Sequence, residues 1–129
     1  MANMVKMLNH QRERTFSTTA VPDFVDITGE VQIILDESGI ANGMVTVFSP
    51  SVGCPLIANE RESGLLADIQ TAMARLGGSP RDGSALIGSN SLVLPAVDGK
   101  LRLGTWQRVL LVELEESGPR SVIIQIVGE

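Results

Sequence analysis

Side chains able to do chemistry are few in this chain and mostly of one kind. Its 129 residues hold one His, His10, and one Cys, Cys54. A single Cys excludes an intrachain disulfide, and a single His excludes a metal shell built from several imidazoles of the same chain. The remaining candidates are carboxylates, amides and hydroxyls. Asn59-Glu60 falls where an apolar run gives way to a helix, so the pair can orient a substrate or a phosphate there. The same two residues can equally cap the helix and complement its dipole. Ser49-Pro50-Ser51-Val52-Gly53 can form an anion nest, with the Ser49 and Ser51 hydroxyls and backbone N–H groups facing a phosphate, or can be a plain turn. Cys54 has no flanking His and reads as a small buried hydrophobe rather than a nucleophile. A general base poised near neutral pH is missing. Glu60 or Asp68 would need burial to serve, and the sequence offers no warrant for that.

Composition removes whole classes of function. Ten Lys plus Arg against fifteen Asp plus Glu leaves a net charge of −5, and the pI is about 4.8. Such a field repels a phosphate backbone, and with 3% aromatic residues and no Tyr there is little on which bases could stack, so nucleic acid is excluded as a partner. No apolar run is long enough to cross a bilayer, and residues 1–14 lack the apolar core of a signal peptide. The expectation is a cytoplasmic protein with no membrane partner. An apolar content of 43% supports one packed domain over residues 1–129, with residues 1–11 as a flexible N-terminal arm.

The elements that must position these side chains can be read from periodicity. Arg12 to Thr19 reads as a strand. Thr28 can cap a helix whose apolar stripe is Ile27, Val31, Ile34 and Leu35, and Ser38-Gly39 stops it. Met44 to Phe48 reads as a buried strand and Leu56-Ile57-Ala58 as a short one. A second helix runs from Asn59 or Ser63 to Leu76, with Leu65, Ile69, Met73 and Leu76 on its buried face, Asn59 and Glu62 at capping-box spacing, and Gly77-Gly78 as its stop. Strands follow at Ala85–Ile87, Leu92–Leu94, Lys100–Leu103, Gln107–Leu114 and Ser121–Val127, with a type I′ turn at Asp98-Gly99 and another turn at Ser117-Gly118-Pro119. Trp106 and Gln107 open one of these strands, Trp106 as a packing residue and Gln107 in inter-strand bonding. This order indicates an α+β fold, two helices packed on a largely antiparallel sheet arrangement. Val109–Val112 and Val122–Ile124 are apolar on both faces, so the face not covered by helices needs a second sheet or a second copy of the chain; a homo-oligomer is the preferred solution.

Several segments taken together resemble one family. They are Val25-Asp26-Ile27-Thr28, Ile40 to Phe48 (IANGMVTVF), Asn59-Glu60, Gly64 to Ile69 (GLLADI), Asp98 to Gln107 (DGKLRLGTWQ), Val112-Glu113-Leu114 and Pro119-Arg120. These are similar to the YjbQ family, whose members are often labelled secondary thiamine-phosphate synthase, over about Arg12 to Gly128. The resemblance implies a YjbQ-like α+β homotrimer with a polar, His-containing pocket near the subunit boundary, holding a metal or an anion. It also implies weak thiamine-phosphate synthesis from a pyrimidine pyrophosphate and a thiazole phosphate. Glu113 and Arg120 both belong to the family pattern, which makes Arg120 the cation for Glu113; a bidentate pair would lock the final hairpin or a subunit boundary.

The chain departs from this pattern where the chemistry should be. In place of the family's His-Thr-Thr it has Ser51, Val52 and Gly53, in a loop of unchanged length. The family's later histidines are also missing, and Pro80-Arg81-Asp82-Gly83-Ser84 runs almost directly into Ala85. Neither Cys54 nor Glu60 replaces several imidazoles around a transition metal, so metal-dependent chemistry is not expected and no cofactor is implied. Two readings follow. One is a homotrimeric scaffold or binder of a small anion or phosphate ligand, using Ser49, Ser51, Gly53, Asn59, Glu60 and Arg81. The other is a weak thiamine-phosphate synthase-like transferase acting on phosphorylated small molecules, with Asn59 and Glu60 as its catalytic residues. Trp106, Gln107, Glu113 and Arg120 are structural in both.

Overall fold

The computed structural model describes residues 6–76 and 86–129. Ten elements run in the order β1 (Leu8–Thr18), β2 (Asp23–Asp26), α1 (Thr28–Ser38), β3 (Gly43–Phe48), β4 (Leu56–Asn59), α2 (Ser63–Arg75), β5 (Ser91–Val97), β6 (Lys100–Leu101), β7 (Arg108–Glu113) and β8 (Gly118–Gly128). They form two antiparallel sheets, a five-stranded one ordered β1-β8-β3-β5-β6 and a three-stranded one ordered β2-β7-β4. The class is α+β. No helix among the described residues is long and apolar enough to cross a membrane.

The core lies between the sheets, where strand alternation puts it. Val45 and Val47 of β3, Leu94 and Ala96 of β5, and Val122, Ile124 and Ile126 of β8 are buried on the inner face of the large sheet. Val109 and Leu111 of β7 face them from the small sheet, and Ile27, just before α1, adds to the same cluster with Val31, Ile34 and Leu35 of that helix. Both faces of β7 are thus covered within the chain. The opposite face of that strand packs Val112, followed by Leu114, against Phe24 of β2 and Met73 of α2. Among the described residues the large sheet has no such cover. Its outer face leaves Met44 (59%), Val93 (59%), Val97 (44%) and Phe48 (38%) accessible. Of the two strands apolar on both faces, only β8 leaves apolar side chains outside.

Local signals hold where a backbone conformation is at stake. Gly39 closes α1 at φ +70, and Asp98 and Gly99 turn the β5–β6 hairpin at φ +51 and +78. Tertiary contacts redirect several others. Thr28 does not cap α1. Its Oγ1 instead accepts from the buried Val109 N–H at 2.8 Å, and Asp26 Oδ1 accepts from the Thr28 N–H at 3.0 Å. An unpaired N–H at the start of a buried strand costs more than an exposed helix end, so it takes the hydroxyl. Glu62 caps α2, its two oxygens accepting from the Gly64 and Leu65 N–H groups at 2.8 Å each, which holds its carboxyl below the usual range.

Of the stripe expected on α2, Met73 is buried, Leu65 and Ile69 are half-buried, and Leu76 is 63% exposed. Leu76, just past the end of α2, lines an open groove with Ile57, Ile69 and Met73 instead of closing into the core. Residues 8–11, expected in a flexible arm, extend β1 and pair with Gln125–Gly128 of β8, whose edge would otherwise be unpaired. Leu86 and Ile87 are not strand; only an isolated bridge from Ser89 to Leu56 forms there. The expected Gly77-Gly78 stop and the first residue of that strand, Ala85, lie outside the described residues.

Candidate functional site

The β3–β4 connection builds a pocket of about 290 Å³, lined by Phe48, Ser49, Pro50, Ser51, Val52, Gly53 and Asn90. Pro50 ends β3, and the chain then turns at Gly53, which has φ +78. A Cβ at Gly53 would also stand 2.8 Å from Glu115 Cβ, so glycine is required there for space as well as conformation. Backbone bonds fix the loop at both ends. Ser49 N–H donates to Asn90 O at 2.7 Å, Leu114 N–H to Gly53 O at 2.9 Å and Val112 N–H to Pro55 O at 2.9 Å. Ser49 is 2% exposed, and its Oγ has no hydrogen-bond partner among the described residues. A buried hydroxyl without a partner is an unusual expense, and it is commonly relieved by a ligand or a water.

Behind this loop lies a buried charged cluster. Glu113, at the end of β7, is fully buried. Its Oε1 accepts from Arg120 Nε at 2.7 Å and Thr18 Oγ1 at 2.7 Å. Its Oε2 accepts from Cys54 Sγ at 2.9 Å, Arg120 Nη2 at 3.2 Å and the Glu115 N–H at 3.3 Å. Burial alone would raise this carboxyl, but the bonds from Arg120, Cys54, Thr18 and Glu115 outweigh it and hold the group at about 2. The Cys54 thiol moves the other way. Burial and the adjacent carboxylate push it up to about 12, so it stays protonated and donates. Because Thr18 and Arg120 belong to the large sheet and Glu113 to the small one, the cluster joins the two layers.

The sequence candidates are not gathered into one place. Ser49, Ser51 and Gly53 share the loop pocket. Asn59 and Glu60 stand at and just beyond the far end of β4, and Asn59 is three residues or about 10 Å along that strand from Leu56. Both are exposed, and Asn59 Oδ1 accepts from the Glu60 N–H at 2.8 Å, so Asn59 does not form a capping box with Glu62. Asn59 lines a different, mainly apolar groove of about 380 Å³ beneath α2. Arg81 lies outside the described residues. Trp106, expected to pack, is 72% exposed on the turn before β7, which begins at Arg108. Gln107 closes that turn, its Oε1 accepting from the Gly104 N–H at 2.8 Å and its own N–H donating to Gly104 O at 3.0 Å.

Asn90, Thr18 and Asp26 were missed by sequence reasoning. Asp26 accepts from the Thr28 N–H at the start of α1 and pairs with Arg108 at 2.7 Å; burial raises its carboxyl, and the Arg108 and Thr28 bonds bring it below the usual range. Its position two residues before Thr28 was the only available signal. Asn90 and Thr18 carried no local signal, because both are brought in by strand pairing.

The family follows from comparison with known proteins. Residues 12–129 match the model of the UPF0047 protein YjbQ-like family. The chain belongs to the YjbQ-like UPF0047 family. A UPF0047 protein of Archaeoglobus fulgidus is 34% identical over 88% of this chain and 98% of its own length. Another, from Methanothermobacter thermautotrophicus, is 31% identical over 93% of each. Among solved structures, a YjbQ-like protein of unknown function from Sulfolobus solfataricus superposes with a TM-score of 0.88 at 31% identity, covering 96% of this chain and all of that one. A hypothetical protein from Aeropyrum pernix gives 0.84 at 31% identity, over 92% and 98% of the two chains.

The donors at the loop of this YjbQ-like chain do not suit a transition metal. They are two hydroxyls, an amide and backbone groups, and the nearby thiol is protonated and committed to Glu113. Among the described residues, no three His, Cys, Asp or Glu side chains stand together as a metal shell.

Proposed function

We propose that this YjbQ-family chain is a binder of a small oxyanion such as phosphate, received in the β3–β4 loop without a metal, on a homotrimeric scaffold. The reading rests on one observation: Ser49 Oγ is buried without a partner among the described residues, on the wall of a pocket that also holds Ser51, Gly53 and Asn90. Hydroxyl and amide donors in a partly desolvated recess favour an anion's oxygens, and a charged acceptor strengthens each bond. No cation is among the described lining residues, so the affinity should be modest. The transferase reading has less support, since Asn59 and Glu60 do not line the loop pocket. The trimer is supported by the apolar outer face of the large sheet, which Met44, Phe48, Val93 and Val97 leave uncovered.

Titration of the full chain with inorganic phosphate, followed by amide NMR, tests the binding site. Saturable shifts at residues 49, 51–53 and 90 are expected, and Ser49→Ala should weaken binding about tenfold by removing one bond to a charged acceptor. Absence of saturation in wild type, or equal affinity in Ser49→Ala, would defeat the reading.

A further inference from the structure

Cys54 is a buried thiol that the proposed binding reading does not use directly, and its surroundings give it a definite task. Gly53 O and Pro55 O, on either side of it, are both bonded to the end of β7. That fixes the backbone of Cys54 over Glu113, and the thiol donates to Glu113 Oε2 at 2.9 Å. Cys54 N–H in turn closes the loop on Ser51 O at 3.4 Å, a long bond that needs support to persist. Glu113 is itself held by Arg120 and Thr18, so the acceptor under the loop cannot swing away. Loop, carboxylate and guanidinium form one chain of bonds running from the pocket rim into the inter-sheet core.

From this we infer that Cys54 is a positioning residue: its thiol anchors the β3–β4 loop to the buried Glu113–Arg120 pair and so holds Ser51, Val52 and Gly53 in the conformation that forms the pocket. The proposal rests on the reading of that loop as the ligand site, but its structural half can be tested without a ligand. Donation is what matters, so a hydroxyl should replace the thiol and a methyl should not. The thiol acts only as a hydrogen-bond donor, and no redox or covalent step is involved.

The test compares Cys54→Ser, Cys54→Ala and Cys54→Val in the full chain. Amide hydrogen exchange is read at Leu114, whose N–H is held by Gly53 O of the loop, against β3 and β8 as internal controls, beside titration with inorganic phosphate. In Cys54→Ala, exchange at Leu114 should quicken about fivefold, the worth of one net hydrogen bond, while the control strands stay unchanged. Phosphate affinity should fall by a similar factor, and Cys54→Ser should restore both readouts. Should Cys54→Ala not fold, Cys54→Val fills the volume without donating and carries the same expectation. If neither apolar variant changes exchange at Leu114, or if Cys54→Ser behaves like Cys54→Ala, the anchoring role is overturned. If wild type takes no phosphate while the exchange pattern holds, the anchoring stands and the ligand reading alone fails.

Discussion

Removing Arg120 isolates the energetics of the inter-sheet cluster. In Arg120→Ala the Glu113 carboxylate, fully buried, loses the bonds from Nε at 2.7 Å and Nη2 at 3.2 Å and keeps only neutral donors. Two routes lead to the same magnitude. All the donors together, Arg120 foremost, hold this carboxyl at about 2 instead of its ordinary 4.5 against the effect of burial, which is worth about 3 kcal/mol at neutral pH. Breaking a buried ion pair from one side costs about 3–5 kcal/mol in general. The sign of the pH dependence follows. In wild type the folded group titrates below its unfolded value, so its contribution is complete above about pH 4.5 and is lost as pH falls through 2. In Arg120→Ala burial is opposed by less, the folded value rises, and acidification relieves the variant. The stability gap should therefore be about 3 kcal/mol at pH 7 and shrink to about half or less near pH 3. Urea unfolding at one fixed protein concentration measures it. Adding Glu113→Gln to Arg120→Ala should recover part of the loss, because an amide is cheaper to bury than an unpaired charge. A gap under about 1 kcal/mol at pH 7, or one constant from pH 7 to pH 3, would refute the reasoning.

Thr28→Ala should cost about 1–3 kcal/mol in the same assay, because it strands the buried Val109 N–H; a loss typical of an exposed helix cap, near 0.5 kcal/mol or below, would contradict that assignment. Gly43→Ala should be severe, about 3 kcal/mol or more, since its Cβ would fall 2.1 Å from Val127 O, whereas Gly29→Ala meets nothing within 4 Å and should be neutral or stabilise α1 by up to about 1 kcal/mol. Light scattering should give about three times the chain mass for wild type, and Val93→Lys, on the open face of the large sheet, should shift the protein towards monomer; a wild-type monomer would refute the trimer.

Properties set by neighbours along the chain were legible in the sequence. The stripe Ile27, Val31, Ile34 and Leu35 is buried because helical period alone puts those residues on one face, whichever surface they meet. Gly39 and Asp98-Gly99 turn where they were expected to, since a positive φ is a local requirement that few residues meet. Glu113 was visible only as a carboxylate among apolar residues, and its pairing with Arg120 was suggested by family resemblance rather than by spacing. Cys54 and Thr18, the other two side chains on that carboxylate, lie far away in sequence and arrive only when the two sheets close over each other.

The same limit governed the candidate site. Ser49 to Gly53 could be named as a polar loop, but the burial of Ser49 Oγ depends on Asn90 and on the packing of the loop against β7. Asn59 and Glu60 looked close to that loop in sequence, yet an extended strand carries them to its other end. Trp106 was expected inside from its residue type, and the turn closed by Gln107 holds it outside. Sequence alone determined the two helices, most of the strands and the turns at Gly39 and Asp98-Gly99, because those depend on backbone preference and period. Tertiary structure decided which polar groups were buried and with whom, because desolvation and long-range pairing exist only once the sheets are packed.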